Sequence, residues 1–234
     1  MAETELHRVL MTDLIQTLQH WYADHPRVYV GGNLLLYYVE GDKRRHVSPD
    51  VFVAHGVGKH LRDYYLLWEE RHPPRTVIEL TSSSTRREDT VKKHELYRDV
   101  LKVREYFLFD PREEYLRPSL QGYRLRGGVY ESIRMVEGRL PSVTLKLHLE
   151  RSGQHMRLYD PSTQSWLPTT DERTDQALQR AEEEKRRAEE EKRRAEEEKQ
   201  RAEDAERAQA KLAQENEALR QQLEQLLRGR QNGR

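Results

Sequence analysis

The feature that most constrains this chain is a seven-residue repeat that begins at Ala181. The unit Ala-Glu-Glu-Glu-Lys-Arg-Arg occurs twice and is followed by a close copy. Each unit places glutamates four residues before arginines, as in Glu182 and Arg186, and each such pair stabilises a helix by about 0.2–0.5 kcal/mol. The repeat is too polar to bury a core, so it predicts an exposed charged helix over 176–228, followed by a disordered tail over 229–234.

The C-terminal part of this helix has the pattern of a leucine zipper. Two sets of residues fill its core positions: Leu212, Leu219 and Leu226 in one, and Asn216 and Leu223 in the other. An asparagine at a core position favours a two-stranded coil in register. We therefore expect a parallel homodimer through residues 205–228, although the same coiled coil could instead recruit a protein partner.

The charge totals exclude two classes of protein. The chain has 41 basic and 41 acidic side chains, and the residues before and after Asp175 are each neutral overall. A strongly basic nucleic-acid binder and a strongly acidic tail are therefore excluded, whereas local basic patches are not. The 175 residues before the repeat are enough for one compact domain.

Cysteine and long apolar runs are both missing from the sequence. Without cysteine there can be no disulfide framework, thiolate zinc site or cysteine nucleophile, and the composition fits a reducing compartment. The apolar runs, such as 34–39, are far shorter than the roughly 20 residues of a membrane helix, and the N-terminus does not resemble a signal peptide. We therefore expect a cytoplasmic protein without a membrane partner.

Periodicity predicts a mixed α/β domain before the repeat. The predicted helices cover 5–22, 59–71 and 89–100, and the predicted strands cover 28–30, 34–39, 47–53, 76–81, 105–110 and several segments within 114–149. Gly31, Gly32 and Asn33 suggest a hairpin turn between the first two strands. A short hairpin from Leu158 to Trp166 closes the domain.

The strongest candidate site combines two acids and a lysine. Asp50 follows Pro49 at the start of a strand, and Glu79 interrupts the apolar strand 76–81. A buried carboxylate needs a compensating cation, and carboxylates on adjacent strands form a hard-oxygen site suited to magnesium. Lys93, on the helix that follows, would add an ammonium group, with Lys92 as a competitor for that role. The alternatives are a turn at Asp50, an exposed strand edge at Glu79 and a solvated helix face at the lysines.

Four segments resemble, in order and spacing, the Uma family of putative restriction endonucleases in the PD-(D/E)XK nuclease superfamily. They are Ser48-Pro49-Asp50-Val51-Phe52-Val53, the segment Val77 to Thr85, Lys93 with Tyr97, and Glu105 to Pro111, and the resemblance covers roughly residues 5–170. It implies a restriction-endonuclease-like mixed sheet flanked by helices, with the nuclease-like domain over 1–150 and a closing hairpin and linker over 151–175.

The resemblance also implies the roles of the site residues. Asp50 and Glu79 would bind Mg²⁺ or Mn²⁺, and Lys93 would replace the superfamily's usual lysine, whose position holds Thr81. The implied function is a magnesium-dependent endonuclease that hydrolyses phosphodiester bonds in DNA with a metal-activated water. The alternative is a weak or inactive nuclease-fold scaffold assembled through its coiled coil.

Contacts to DNA would come from local basic residues. The candidates are Lys43, Arg44 and Arg45 at a predicted turn, and Arg86 and Arg87 before the helix that carries Lys93. A mixed charged surface is an equally good explanation of these residues. Two further sets of residues are expected to have no part in the site. We expect four histidines to be ordinary surface or packed residues, namely His7, His46, His55 and His60. We expect Tyr97 and Tyr106 to be core aromatic residues.

Overall fold

The computed structural model describes residues 4–231 of the chain, with side chains as far as Gln222. It divides into two compact units, Met1–Arg173 and Thr174–Arg234. Within the described residues, no helix combines the length and apolar character needed to cross a membrane.

The first unit contains most of the secondary structure. The helices are α1 (Glu5–Trp21), α2 (Leu67–Glu70), the π-helical segments π1 (Glu88–Lys93) and π2 (Leu96–Val100), and α3 (Thr170–Gln231), which continues into the second unit. The strands are β1 (Val28–Gly31), β2 (Leu36–Tyr37), β3 (His46–Val47), β4 (Val51–His55), β5 (Tyr65–Leu66), β6 (Thr76–Leu80), β7 (Glu105–Phe109), β8 (Leu120–Arg126), β9 (Val129–Ser132), β10 (Leu140–Ser142), β11 (Leu147–Ser152), β12 (His155–Asp160) and β13 (Ser165–Trp166).

A six-stranded mixed sheet forms the centre of this unit. Its strand order is β1-β4-β6-β7-β8-β9, and β6 and β7 are parallel whereas the other neighbours are antiparallel. The helical crossover between β6 and β7 was predicted and is confirmed, as is the mixed α/β class. Two smaller sheets accompany it, with orders β10-β11-β12-β13 and β3-β2-β5.

The two faces of the central sheet have different cores. On one face, Leu14 and Leu18 of α1 belong to the same buried cluster as Ile78 and Phe107. On the other face, Val77 belongs to a cluster that includes residues of π2. Since side chains alternate along a strand, Glu79 shares the face of Val77 and lies towards the π-helical segments.

The predicted hairpin across residues 31–33 is wrong. β1 pairs with β4 and not with the following strand, and the run 34–39 contributes only the two residues of β2. A Cβ atom on Gly32 would lie 2.0 Å from the carbonyl oxygen of Asp50, so the glycine permits close backbone approach. The N–H of Asn33 then donates to the Pro49 carbonyl at 2.9 Å.

The predicted helix over 59–71 is also wrong, because its apolar residues do not share a face. Tyr65 is fully buried and pairs with Leu36 in a parallel β-strand contact, whereas Leu61 is 99% exposed. Only the four residues of α2 are helical in this segment, and Arg71 ends them in the left-handed conformation with φ of 58°.

The later strands and the long helix follow the sequence pattern. β8 pairs with β9 and β10 pairs with β11, both antiparallel, and β12 with β13 forms the predicted closing hairpin. The predicted C-terminal helix is confirmed as α3, which begins six residues before 176. The disordered tail predicted over 229–234 is wrong for residues 229–231, which continue α3, and residues 232–234 lie outside the described part. Leu212 and Leu219 are exposed, and the side chains of Leu223 and Leu226 lie outside the described residues.

Candidate active site

Asp50 stands at the entrance of β4, next to β6. Its Oδ2 atom accepts a hydrogen bond from the Leu80 N–H at 2.7 Å, and its Oδ1 atom lies 3.1 Å from Nε2 of His7 on α1. The side chain is 14% exposed. The carboxylate is therefore fixed by two elements while one edge stays accessible to water.

Glu79 is fully buried and is held by three donors. The Tyr97 hydroxyl donates to Oε1 at 2.6 Å, and Nζ of Lys93 donates to Oε2 at 2.8 Å. The backbone N–H of Asp50 also donates to Oε2, at 3.4 Å. This bond joins the two predicted metal ligands directly.

Lys93 of π1, rather than Lys92, reaches this carboxylate. Lys93 is 15% exposed and also lies 3.3 Å from Oδ1 of Asp89, whereas Lys92 is 68% exposed and pairs with Glu88 on the surface at 2.9 Å. π-Helical turns occur frequently at functional sites because they redirect individual side chains. Of the two lysines, the structure therefore places Lys93 at the candidate site.

Thr81 takes a structural role at the position where the superfamily carries its usual lysine. Its hydroxyl donates to Oδ2 of Asp89 at 2.8 Å and also contacts the hydroxyl of Tyr115. Asp89 in turn pairs with Lys93. The threonine thus supports the acid that positions the ammonium group, and the helix supplies the cation that the strand lacks.

The electrostatics of the site favour an added cation. Burial raises the pKa of Glu79 well above its usual value; Lys93 opposes this, while the charges of Asp50 and Asp89 add to it. Burial would lower the pKa of Lys93, but Glu79 and Asp89 raise it above its ordinary value, so the ammonium stays charged. Three carboxylates facing one ammonium leave the cluster short of positive charge.

The donor set fits a magnesium-type ion. No group of three or more histidine, cysteine, aspartate or glutamate side chains in the described residues has the geometry of a metal cage. Mg²⁺, however, is typically held by one or two carboxylates, with waters and substrate phosphates completing its shell. Asp50 and Glu79 match that mode of binding.

The predicted DNA contacts lie apart from this cluster. Arg44 is 91% exposed and hydrogen-bonds Asp42 at 3.2 Å, and the Arg86 guanidinium lies 5.2 Å from the centre of the Tyr115 ring. In the described part of the chain, none of the five DNA-contact candidates hydrogen-bonds Asp50 or Glu79. The five candidates are Lys43, Arg44, Arg45, Arg86 and Arg87. These five residues are exposed surface cations.

Sequence reasoning missed three contributors. Tyr97 is the buried core residue that was expected, but its hydroxyl also binds Glu79; its position four residues after Lys93 was the available signal. His7 was assigned an ordinary role, and Asp89 was passed over. Asp89 lies in π1 four residues before Lys93, so it had the same kind of signal as Tyr97. His7 had none, because its contact with Asp50 joins residues 43 positions apart.

Comparison with known proteins identifies the family. The model of Uma2, described as "Putative restriction endonuclease", matches residues 1–158. The chain belongs to this family. The matched range of this chain contains Asp50, Glu79 and Lys93, and membership supports a nuclease in general terms.

The other comparisons add little to the Uma2 assignment. A similar solved structure is that of a putative nuclease belonging to DUF820 from Anabaena variabilis, with 17% identity and a TM-score of 0.47, covering 64% of this chain and 80% of that one. No curated protein is significantly similar in sequence.

Proposed function

We propose that this Uma2 chain is a metal-dependent endonuclease that hydrolyses phosphodiester bonds in DNA. The observation that carries the proposal is the contact between Asp50 and buried Glu79, with the Lys93 ammonium 2.8 Å from the latter. Two acids and a lysine converging at one partly accessible corner are suited to phosphoryl chemistry, in which positioning and charge stabilisation dominate.

Each of the three residues has a distinct proposed role. Asp50 and Glu79 would hold Mg²⁺ or Mn²⁺, which would polarise the phosphate and lower the pKa of an attacking water. The Leu80 N–H and the Tyr97 hydroxyl fix the two carboxylates before any ligand arrives. Lys93, kept charged by its acidic neighbours, would stabilise negative charge that develops on the reacting phosphate.

The surface cations would position DNA without reading its sequence. Phosphate contacts fix register and orientation, and they make affinity depend on salt. We propose this role for Lys43, Arg44, Arg45, Arg86 and Arg87, which are all exposed.

We further propose that residues 205–228 of α3 pair two copies of the chain. Leu212 and Leu219 are 64% and 62% exposed on the single chain, although a soluble helix normally covers leucines at this spacing. A dimer would carry two sites, one for each strand of a duplex. The same exposed leucines favour the second candidate function, a scaffold that recruits a partner and cuts weakly or not at all.

Cleavage assays separate the two functions. Native chain, Asp50→Ala and Glu79→Ala are incubated with plasmid and single-stranded DNA and Mg²⁺ or Mn²⁺, with excess chelator as the metal-free control. If the chain is a nuclease, we expect the native chain to cleave DNA, both variants to leave it intact, and the chelator to abolish cleavage by the native chain. Cleavage that persists in both variants would show that the chemistry lies elsewhere, and no cleavage under any condition would favour the scaffold.

A further inference from the structure

A groove lies beside the candidate active site and shares a residue with it. Its volume is about 510 Å³, within the roughly 300–1,000 Å³ typical of ligand pockets. Its lining includes residues from the β2–β3 region and from the π-helical segments, namely Leu35, Tyr38, His46, Lys92, Lys93 and Leu96. Because the Lys93 ammonium also bonds Glu79 at 2.8 Å, anything in the groove lies next to the candidate site.

Tyr38 gives this groove a flat, partly exposed aromatic wall. The ring is half-buried and packs against the core cluster that contains Leu36 and Val47. Among the described residues it pairs with no other ring, and its hydroxyl has no hydrogen-bond partner. The neighbouring Tyr37 differs, since its ring lies 5.4 Å from His46 and 6.1 Å from Tyr64. Leu35, which is 41% exposed, adds an apolar surface. An aromatic face beside apolar side chains suits a planar heterocycle such as a nucleic-acid base.

Positive charge accompanies the aromatic wall. Lys93 lies at the end of the groove next to the acids, and Lys92 is 68% exposed. The surface pair between Lys92 and Glu88 is exposed on both sides and therefore weak, so a phosphate could displace the glutamate. His46 binds the Lys43 carbonyl at 2.8 Å, which connects the groove to the basic turn.

We propose that this groove binds one unpaired nucleotide of the DNA substrate, next to the phosphate cut at Asp50 and Glu79. The base would stack on Tyr38, and the phosphate would meet Lys92. This inference rests on the proposed nuclease function and names its substrate class more closely. A base inside a duplex has both faces covered by its neighbours, so the groove selects single strands, frayed ends or flipped nucleotides.

Fluorescence anisotropy of a labelled oligothymidine tests the groove on the full chain without divalent metal. Tyr38→Leu keeps an apolar side chain but removes the flat ring, and we expect it to weaken binding roughly five- to hundredfold. Tyr38→Trp restores a stacking surface and should bind like the native chain. Tyr64→Leu is the matched control, because Tyr64 is 51% exposed and does not line the groove.

The outcomes also distinguish the groove from the nuclease. The groove proposal fails if the native chain does not bind the oligothymidine, or if Tyr38→Leu binds it as tightly as the native chain does. It also fails if Tyr38→Trp loses as much affinity as Tyr38→Leu. If Asp50→Ala abolishes cleavage while Tyr38→Leu binds and cuts normally, only the groove proposal fails. If the native chain binds through Tyr38 but never cuts, the nuclease proposal fails and the nucleotide site stands.

Discussion

Replacing Lys93 with methionine removes the ammonium group that faces buried Glu79. Breaking a buried ion pair typically costs about 3–5 kcal/mol, because one charge is left without compensation. Lys93 is 15% exposed, so water offsets part of this cost, and we expect a loss near the lower limit, about 3 kcal/mol. With a urea dependence of about 2 kcal/mol per molar, the unfolding midpoint should fall by about 1.5 M.

Tryptophan fluorescence is a suitable assay for this loss. The three tryptophans, Trp21, Trp68 and Trp166, all lie in the first unit, so their signal reports that unit and not the rest of α3. Lys92→Met is the matched control; its exposed pair with Glu88 should contribute less than about 0.5 kcal/mol.

The loss should also depend on pH. Without Lys93, the pKa of Glu79 in the folded chain stays above its value of about 4.3 in the unfolded chain. The folded variant therefore holds the Glu79 proton more tightly than the unfolded chain does, and it loses stability as pH rises from the unfolded-state pKa to the folded-state pKa. The deficit should therefore be larger at pH 8 than at pH 5, and Lys93→Met combined with Glu79→Gln should recover most of it. If Lys93→Met has the same urea midpoint as the native chain at pH 8, the ion pair between Lys93 and Glu79 does not stabilise the first unit.

Three further predictions concern other parts of the chain. Tyr97→Phe removes the hydroxyl that donates to Glu79 and should destabilise the first unit by about 1–3 kcal/mol in urea, whereas Tyr123→Phe, whose hydroxyl binds Gln121, should change it by less than about 1 kcal/mol. Burial would raise the pKa of Glu105, but hydrogen bonds from Ser142, Thr144 and Arg124 outweigh it and lower that pKa. The ionised Glu105 therefore stabilises the folded chain above about pH 4.3, and this stabilisation is lost as pH falls through the lowered folded-state pKa. Glu105→Gln should thus lower Tm most near pH 7 and least near pH 3, and a pH-independent difference would contradict this assignment. Sedimentation equilibrium at tens of micromolar should find a dimer for the intact chain and a monomer for a chain ending at Asp175, and a monomeric intact chain would refute the pairing of α3.

Local patterns predicted the elements that depend on local physics. The parallel strands around Glu79 and the long charged helix both carry signals within a few neighbouring residues, and both are present. The predicted hairpin at Gly32 is wrong, because the sequence does not distinguish a glycine that permits close backbone approach to Asp50 from a glycine that forms a turn. Tyr65 was assigned to a helix because its spacing fits one, whereas burial against distant strands decides its conformation.

The candidate site was only partly accessible to sequence reasoning. An acid inside an apolar strand is unusual enough to mark Glu79. Asp50 after Pro49 and Lys93 on the following helix were proposed from their positions, and the resemblance to a known family supports all three. The four-residue spacing of Asp89, Lys93 and Tyr97 was a usable signal for Lys93 over Lys92, because all three take part in the contacts around Glu79. The contact of His7 with Asp50 joins residues 43 positions apart, so it appears only in the folded chain.

Calorimetric titration with Mn²⁺ tests most directly whether Asp50 and Glu79 form a metal site. We expect one ion to bind per native chain, and the affinity to fall by about tenfold or more in Asp50→Asn and Glu79→Gln. Asp99→Asn is the control, since that carboxylate is 49% exposed and pairs with Arg98 outside the site. Absence of binding to the native chain, or equal binding by Asp50→Asn, would contradict the account.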